Sequence, residues 1–339
     1  MNTAAQPLPL QQIAGGVVCV TVTYGDRKKL LCTVIDALPA QGVRKVVVVD
    51  NGAAWPVRAQ LAEAYGDYVD VVEMGRNAGS AGGFGAGMHR AKELGAAFIW
   101  VLDDDNCPAP NAMPILLKAY HSARSDSASD LLAVTAFRPV GQQGIPARRL
   151  APRHSSYCGF HILDLPRKLA KRTFMRSLIA PRRLPSTIPV EVAAYSGMLF
   201  SAGLIDIIGL PNDDFVLYCD DYDWSHRIVR RGGRLIVVTN AHVIDLQRTW
   251  AGQLSNHPLS LLRGPGDSVA YYAMRNEVFF YCRQWRGSSI VYGINRFVFT
   301  GLLWLQAMAY GRMARYRLLR RAAADGDLGR MGLNGEFPL

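Results

Sequence analysis

The stretch that decides the fold is Ile99-Trp-Val-Leu-Asp-Asp-Asp-Asn-Cys-Pro108. An apolar run typical of a buried strand, 98–102, leads directly into three carboxylates, Asp103, Asp104 and Asp105. In an open α/β sheet, ligands bind at the carboxyl ends of the strands, which is where these carboxylates are predicted to lie. Mg²⁺ or Mn²⁺ would neutralise their mutual repulsion, because hard cations take oxygen ligands and also bind substrate phosphates. Taken alone, the stretch fits an acidic surface turn equally well.

Around this stretch the chain alternates strands and helices, which predicts an α/β fold with a mostly parallel sheet. The predicted strands cover residues 16–23, 43–49, 68–74, 98–102, 131–137, 191–200 and 234–239. Helical spacing of apolar residues predicts helices at 27–38, 61–65, 203–209 and 270–282. The basic, proline-broken segment 138–190 gives no clear pattern, and a surface lid or a membrane-facing arm would both fit it.

Composition is that of a globular protein, since half of the 339 residues are hydrophobic. The six cysteines form no CxxC pair, which favours a reducing cytosol over a disulfide framework. Residues 1–16 have neither a basic start nor a long apolar run, so no signal peptide is predicted.

The net charge of +11 is unevenly placed. Eleven Lys/Arg and one Asp lie between residues 138 and 183, and eight Arg with no acid lie between 283 and 321. Such stretches bind nucleic acid, an anionic membrane surface or phosphorylated substrates. The apolar run within 290–321 is shorter than the roughly 20 residues that a membrane span needs. It fits an interfacial amphipathic helix, or one packed on the core or on a second subunit.

A glycine-rich stretch, Arg76-Asn-Ala-Gly-Ser-Ala-Gly-Gly-Phe-Gly-Ala-Gly87, follows the third predicted strand and leads into a helix through Leu94. Glycines let backbone N–H groups approach an anion, and the dipole of the following helix favours negative charge. We therefore expect a phosphate-binding loop. It is neither a dinucleotide fingerprint, because Met88 replaces the third glycine, nor a P-loop. A flexible loop with tight helix packing is the alternative.

A second acidic group opens a predicted helix, 219–231, with Asp residues in its first turn and Arg in its last. Its carboxylates either complement the helix dipole or include a general base that faces the first acidic group. Asp50, at the end of the second strand, either accepts the ring N–H of a uracil or thymine, or belongs to an Asp-Asn-Gly turn. His242 follows the last predicted strand and is a candidate metal ligand, although a lone His is more often structural.

Taken in order, these residues resemble the family 2 inverting glycosyltransferases of the GT-A fold. The ordered set is Thr23-Tyr24, Asp50-Asn51-Gly52, Asn77, Asp103-Asp104-Asp105, Ser196-Gly197-Met198, Asp220-Asp221 and Arg275-Asn276. The glycine stretch together with the triple Asp is most similar to the galactofuranosyltransferase and rhamnosyltransferase branches. Those branches act at the cytoplasmic membrane face on lipid-linked glycans.

The resemblance implies a role for each matching position. The donor-binding residues would be Thr23, Tyr24, Asp50, Asn77, Gly82, Gly83, Asp103 and Asp104. Mn²⁺ or Mg²⁺ would be bound by Asp103, Asp105 and His242. Asp221 would be the catalytic base, beside Asp220 where Glu is common, and the acceptor site would be shaped by Ser196, Gly197 and Trp224.

The same resemblance implies a UDP-galactofuranose donor, or next a dTDP-rhamnose donor, and a lipid-linked or polysaccharide acceptor in cell-envelope synthesis. We expect a GT-A domain over 1–245, with a basic insertion at about 138–190, and a helical region over 246–339. The protein would be cytoplasmic and peripheral at the inner membrane face, held by its C-terminal Arg-rich helices, with no nucleic-acid partner and with self-association as an open alternative.

Two other function classes also fit parts of the sequence. A nucleotidyltransferase would pair an α/β sheet with carboxylates and Mg²⁺, but residues 16–29 match its basic Gly-rich signature poorly. A non-catalytic protein that binds nucleic acid or membranes would use the basic stretches, but it leaves both acidic groups unexplained.

Overall fold

A computed structural model of the protein describes residues 16–125, 130–139, 153–166, 184–247, 258–264 and 266–339. Residues 1–15, and most of the basic segment 138–190, lie outside this part of the chain. The described strands form one sheet in the order β3-β2-β1-β4-β8-β6-β9-β5, with β7 also paired to β9. They are β1 (Val17–Gly25), β2 (Lys45–Ala53), β3 (Val69–Glu73), β4 (Phe98–Val101), β5 (Asn106–Pro108), β6 (Leu132–Phe137), β7 (Thr187–Val190), β8 (Met198–Ser201) and β9 (Arg234–Asp245).

Helices cover both faces of the sheet and form the C-terminal region. They are α1 (Lys28–Ala37), α2 (Val57–Tyr65), α3 (Gly79–Glu93), α4 (Ala112–Ser125), α5 (Leu204–Ile208), α6 (Asp220–Arg230), α7 (Pro258–Arg263), α8 (Asp267–Arg283), α9 (Ser289–Ala309) and α10 (Met313–Leu328). The predicted α/β class is confirmed.

The first half of the sheet follows the prediction closely. Strands β1 to β4 pair in parallel, and the Val-rich runs of β1 and β2 are buried on both faces, as central parallel strands are. One face packs against a core that includes α1 and α4, and the other packs against α3. The carboxyl ends of β1, β2 and β4 therefore meet at one edge, which places residues 23–24, 50 and 103–105 together.

The second half of the sheet is mixed, and here the prediction of a strand over 191–200 was wrong in length. Within that predicted range only the residues of β8, from Met198 on, form a strand. Strand β8 runs antiparallel to both β4 and β6. Gly197 turns the chain into β8 at φ +85°, where a Cβ would lie 2.8 Å from the Cβ of Ala136. Glycine is required at this turn because any side chain would collide with the neighbouring strand. Strand β9 also continues to Asp245, six residues past its predicted end.

The glycine-rich stretch is a helix and not a loop, which corrects the predicted phosphate-binding loop. Helix α3 begins at Gly79, and two of its glycines, Gly83 and Gly87, face the sheet. A Cβ on Gly83 would lie 2.8 Å from Val22 Cγ1, and one on Gly87 would lie 2.5 Å from Val20 Cγ1. The alternative of tight helix packing was therefore correct: the missing side chains let the helix backbone lie directly on β1.

The C-terminal helices share a core of their own, in which α8 packs against α10 and α9 packs against α7. The long C-terminal helical stretch is divided at Gly311, which has φ +64°. Within the part of the chain that the structure covers, no helix is both long and apolar enough to cross a membrane.

Candidate active site

The structure brings the two acidic groups together at the carboxyl edge of the sheet. Asp103 follows β4 and accepts a hydrogen bond from the Ser196 hydroxyl, just before β8. The negative charge of Asp103 raises the pKa of both Asp220 and Asp221, although burial is the larger cause for each. Carboxylates that are over 100 residues apart in sequence thus share one site, together with the predicted acceptor residue Ser196.

Asp220 and Asp221, at the start of α6, differ in environment. Asp220 is buried, and it accepts a hydrogen bond from Ser80 Oγ at 2.9 Å through Oδ1, whereas its Oδ2 has no partner among the described residues. Burial and the adjacent charge of Asp221 raise the pKa of Asp220 well above its usual value. Burial raises the pKa of Asp221 to about 7, and its Oδ1 accepts the Tyr222 N–H at 2.8 Å. Both acids therefore take up a proton at a higher pH than a free aspartic acid does.

Arg27, which the sequence analysis did not single out, neutralises part of the first acidic group. Its Nε lies 2.9 Å from both carboxylate oxygens of Asp104, and its Nη2 lies 3.0 Å from Asp105 Oδ2. Asp104 and Asp105 are both 2% exposed. Burial, together with the charge of Asp103, raises the pKa of Asp105 to about 6 despite the guanidinium.

Three further residues that were not predicted as site residues, Asn106, Asp245 and Arg138, lie near Asp105. The amide nitrogen of Asn106 donates to Asp105 Oδ1 at 3.1 Å and to Asp245 Oδ1 at 3.0 Å. Arg138 Nη2 lies 2.7 Å from the same oxygen of Asp245. The amide group of Asn106 thus connects Asp245, at the end of β9, to Asp105 of the Asp-Asp-Asp sequence.

The predicted nucleobase residues line the other side of this edge. Tyr24 is 48% exposed, and the Arg27 guanidinium carbon lies 5.1 Å from its ring centroid. Thr23 is buried beneath it. Asp50 Oδ1 accepts the Ala53 N–H at 2.8 Å. This is the contact expected of an Asp-Asn-Gly turn, the second interpretation given for Asp50.

Asn51 links the end of β2 to the start of α3. Its side-chain nitrogen donates to Asn77 Oδ1 at 3.1 Å and to the Gly79 carbonyl at 3.0 Å, and its oxygen accepts the Ala78 N–H at 2.9 Å. Asn77 in turn accepts the Gly79 N–H at 3.0 Å. These bonds fix the start of α3 beside Ser80 and Asp220. Asn51 was quoted in the sequence pattern, but this role was not predicted.

Three predicted site residues lie away from open space. Gly82 and Gly83 are buried within α3. They let the helix pack closely and do not line a surface on which a nucleotide sugar could bind. Trp224 is fully buried, packs against Phe200, and donates to the Gly209 carbonyl at 2.8 Å. The expectation that Trp224 shapes the acceptor site therefore needs correction. Its ring lies in the core, where it packs α6 against Phe200 of β8.

His242 lies within β9 and is exposed, and its Nε2 is 2.9 Å from the Thr239 carbonyl. Strand alternation places it on the face opposite Asp245. No contact in the described chain joins it to Asp105, and its role as a metal ligand stays a prediction.

The donor set partly fits a divalent cation. Among the described residues, no three His, Cys, Asp or Glu side chains are grouped as a ready-made metal centre. Asp105 Oδ2 is nevertheless buried, and among the described residues its closest recorded partner is Arg27 Nη2, at 3.0 Å in an ion pair whose geometry is poor for a hydrogen bond. Mg²⁺ and Mn²⁺ sites often use one or two carboxylates and complete the coordination with substrate phosphates and water. Asp103 and Asp105 are suited to that kind of site.

Such a mixed sheet, with acidic residues at the carboxyl ends of its strands, is typical of the GT-A class of glycosyltransferase fold. The crystal structure of GalNAc-T7 with UDP, GalNAc and Mn²⁺ shares it, with a TM-score of 0.51 and 13% identity over 78% of this chain and 47% of that one. At this identity the likeness is one of fold alone. The chain belongs to glycosyl transferase family 2, whose sequence profile matches residues 18–201.

Curated relatives at the sequence level are galactofuranosyltransferases named GlfT1. The Mycolicibacterium smegmatis protein is 29% identical over 231 residues, which are 64% of this chain and 66% of that protein. The Mycobacterium tuberculosis protein is 27% identical over 230 residues, 64% of this chain and 65% of that protein. The matches thus span just under two thirds of these relatives' length. The prediction of a family 2 glycosyltransferase is confirmed, and the nucleotidyltransferase and non-catalytic alternatives are set aside.

Proposed function

We propose that the protein is a metal-dependent inverting glycosyltransferase that uses UDP-galactofuranose, with dTDP-rhamnose as the next candidate donor. Its acceptor would be a lipid-linked or polysaccharide glycan of the cell envelope. The observation that carries the proposal is the meeting of Asp103–Asp105 with Asp221 at one edge of the sheet. Similarity to the GlfT1 galactofuranosyltransferases supports the choice of sugar.

The donor would lie across the ends of β1, β2 and β4. Tyr24 offers an exposed ring for a nucleobase to stack on, and Asp50 lies at the same edge. Asp103 and Asp105 would hold Mn²⁺ or Mg²⁺, with a third ligand from β9, and the cation when bound neutralises charge on the leaving diphosphate. Arg27 forms ion pairs with Asp104 and Asp105, and Arg138 forms one with Asp245, so the two guanidinium groups orient these carboxylates.

Asp221 would remove the proton from the acceptor hydroxyl, since its raised pKa suits a general base near neutral pH. The hydroxyl oxygen then attacks the anomeric carbon from the side opposite the diphosphate, so the configuration inverts. Asp220, protonated and hydrogen-bonded to Ser80, would keep the local negative charge low. Ser196 and Gly197, at the turn into β8, would line the acceptor side beside Asp103.

A thermal-shift titration with UDP and with dTDP, each with Mn²⁺, Mg²⁺ or EDTA, tests the donor site. We expect metal-dependent stabilisation that is larger with UDP, because a ligand that binds only the folded state raises its stability. A larger shift with dTDP would move the proposal to rhamnose. No shift with either nucleotide in folded protein would remove the proposed donor site.

We propose in addition that α9 rests on the inner face of the membrane and so brings the enzyme to a lipid-linked acceptor. Its outward face carries an apolar stripe about 27 Å long at 1.5 Å per residue. The stripe consists of Ile290, Ile294, Phe297, Trp304, Leu305 and Met308, of which Phe297 is 82% exposed. Exposed arginines on α10, Arg317 and Arg320, supply the positive charge that an anionic lipid surface attracts.

Vesicle flotation tests this contact. Phe297→Glu should lower the bound fraction on vesicles containing anionic lipid several-fold, because it places a charge in the middle of the stripe. Leu333→Glu is the matched control, since Leu333 is also exposed, at 61%, but lies outside α9. Equal binding of the Phe297 variant and the wild type would rule out α9 as the membrane contact.

A further inference from the structure

The loop that leads into the proposed catalytic helix has an unusual backbone. Val216, Tyr218 and Cys219 have φ values of +63°, +69° and +61°. Non-glycine residues rarely adopt this left-handed region, and a β-branched residue such as Val216 does so least readily. Backbone of this kind persists only where the surroundings hold it in place. Cys219 is the N-cap residue of α6, directly before Asp220 and Asp221.

Asn276, in the middle of α8, holds this loop from the C-terminal region. Its side-chain nitrogen lies 2.6 Å from the Phe215 carbonyl, 2.7 Å from the Leu217 carbonyl and 3.0 Å from the Tyr218 carbonyl. The amide group has two N–H donors for three acceptors, so at least one donor is shared. Asn276 is fully buried, which removes water as a substitute partner.

Arg275 extends the same contact along the loop. Its Nη2 donates to the carbonyls of Asp214 and Phe215 at 3.1 and 3.3 Å, and its Nη1 donates to the Gly332 carbonyl at 2.5 Å. Its Nε donates to Asn276 Oδ1 at 2.8 Å, which fixes the orientation of the amide. Arg275 is 1% exposed. Two adjacent buried side chains therefore supply hydrogen bonds to the backbone of residues 214, 215, 217 and 218.

The opposite side of the loop is held by the start of α3. The Ala81 N–H donates to the Val216 carbonyl at 3.3 Å, and a Cβ on Gly79 would lie 1.9 Å from that oxygen. The loop is thus closely packed between α3, whose Ser80 contacts Asp220, and α8. Its conformation sets where the first turn of α6 begins.

We propose that Arg275 and Asn276 are positioning residues, which hold the loop 214–219 with its three left-handed residues in place and so aim Asp221 at the acceptor hydroxyl. The helical region after residue 245 is then part of the catalytic unit and not only an attachment to it. This inference rests on the proposed function, because it takes Asp221 as the base.

Asn276→Asp isolates the hydrogen bonds. The aspartate keeps the volume and the oxygen that accepts from Arg275, but a carboxylate cannot donate to the three carbonyls. We expect kcat for sugar transfer to fall ten- to a hundredfold, about 1.4 to 2.7 kcal/mol on the barrier. The KM for the nucleotide sugar should change less than threefold, since donor residues lie on β1, β2 and β4. Hydrogen exchange of the amides of residues 214–221 should become faster with no ligand present.

Asn295→Asp is the matched control. Asn295 is also a fully buried amide on a C-terminal helix, and it donates to the Ser155 carbonyl at 2.8 Å and accepts from the Ile162 N–H at 2.9 Å. Its loop does not lead into α6, so this variant should lose stability but keep kcat and the exchange rates of 214–221. Equal losses of kcat in both variants would mean that Asn276 has only a general structural role.

Further outcomes separate this inference from the proposed function. If Asn276→Asp does not fold, Arg275→Lys takes its place, since it keeps the charge but removes the forked donors, and it should lower kcat by a smaller factor. Unchanged kcat and unchanged exchange in a folded variant would overturn the positioning role. If the wild-type protein transfers no sugar, the proposed function fails, whereas the exchange rates still report whether Asn276 holds the loop.

Discussion

Replacing Asp221 by Asn removes the proposed base with almost no change of volume. The carboxylate lies in the first turn of α6, where burial and the nearby Asp103 charge raise its pKa to about 7. The substitution keeps an oxygen that can accept the Tyr222 N–H, which now bonds Asp221 Oδ1 at 2.8 Å. Changes in rate can therefore be ascribed to the lost proton acceptor and not to a rearranged helix.

The size of the effect follows from the role and from the pKa. Loss of a general base typically costs roughly 10²- to 10⁴-fold in rate. With a pKa of about 7, roughly a tenth of wild-type molecules have Asp221 ionised at pH 6 and roughly nine tenths at pH 8, so kcat/KM should rise with pH and level off above 8. The Asn variant should keep a low, nearly flat profile over this range.

The same pKa gives an independent test in the free energy of unfolding. Asp221 binds its proton more tightly in the folded state, so its favourable contribution is fully present below about pH 4 and is lost as the pH rises through 7. Asn has no such titration. Between pH 4 and pH 8 the stability of the variant relative to wild type should therefore increase, by at most about 4 kcal/mol.

Sugar transfer measured from pH 5.5 to 9, and urea unfolding at pH 4.5 and 8, check both expectations. Asp220→Asn is the comparison, because Asp220 is buried and hydrogen-bonded to Ser80, so its loss should lower the rate much less. The reasoning would be refuted if Asp221→Asn kept wild-type kcat. It would also be refuted if Asp220→Asn were the more damaging change, since that result would assign the base to the other acid.

Two further changes test the metal site and the helix packing. In thermal shift, Asp105→Asn should abolish the part of the stabilisation by UDP that depends on Mn²⁺, and unchanged metal affinity in this variant would exclude Asp105 as a ligand. Comparing His242→Ala with Asp245→Asn should show which residue of β9 completes the metal site. Gly87→Ala should lower the free energy of unfolding in urea by about 1 to 3 kcal/mol, because its Cβ would lie 2.5 Å from Val20 Cγ1. Gly203→Ala, where a Cβ meets nothing within 4 Å, should change stability far less, and similar losses in both variants would contradict the packing argument.

Local sequence patterns were sufficient for the first half of the fold. Strands β1, β2 and β4 are continuous apolar runs that end in polar residues, so both their burial and the edge where Asp50 and Asp103 lie were predictable. The start of helix α3 at Gly79 was not, because glycine is a poor helix former and the pattern alone favours a loop before the predicted helix. What makes the glycines favourable there is contact with Val20 and Val22, which depends on the tertiary structure.

The missed site residues have the same explanation. Arg27 is 77 positions from Asp104, and Arg138 is 107 positions from Asp245, so no local pattern reports these ion pairs. Asp245 and His242 lie three positions apart on one strand. The histidine was predicted as the metal ligand because imidazole commonly binds metals. The strand runs farther than predicted, and its alternation turns Asp245 and not His242 towards Asn106 and Asp105.

The balance of charge at this edge should couple the binding of a cation to the binding of the nucleotide sugar. Within the described ranges, the acids Asp103, Asp104, Asp105, Asp221 and Asp245 outnumber the guanidinium groups in recorded ion pairs with them, those of Arg27 and Arg138. A nucleotide sugar brings further negative charge, so it would be repelled from a site that already holds an excess. On the proposed mechanism, a divalent cation at Asp103 and Asp105 removes this repulsion, and the diphosphate in turn completes the coordination of the cation. Each ligand should therefore raise the affinity for the other by the same factor, as linkage requires.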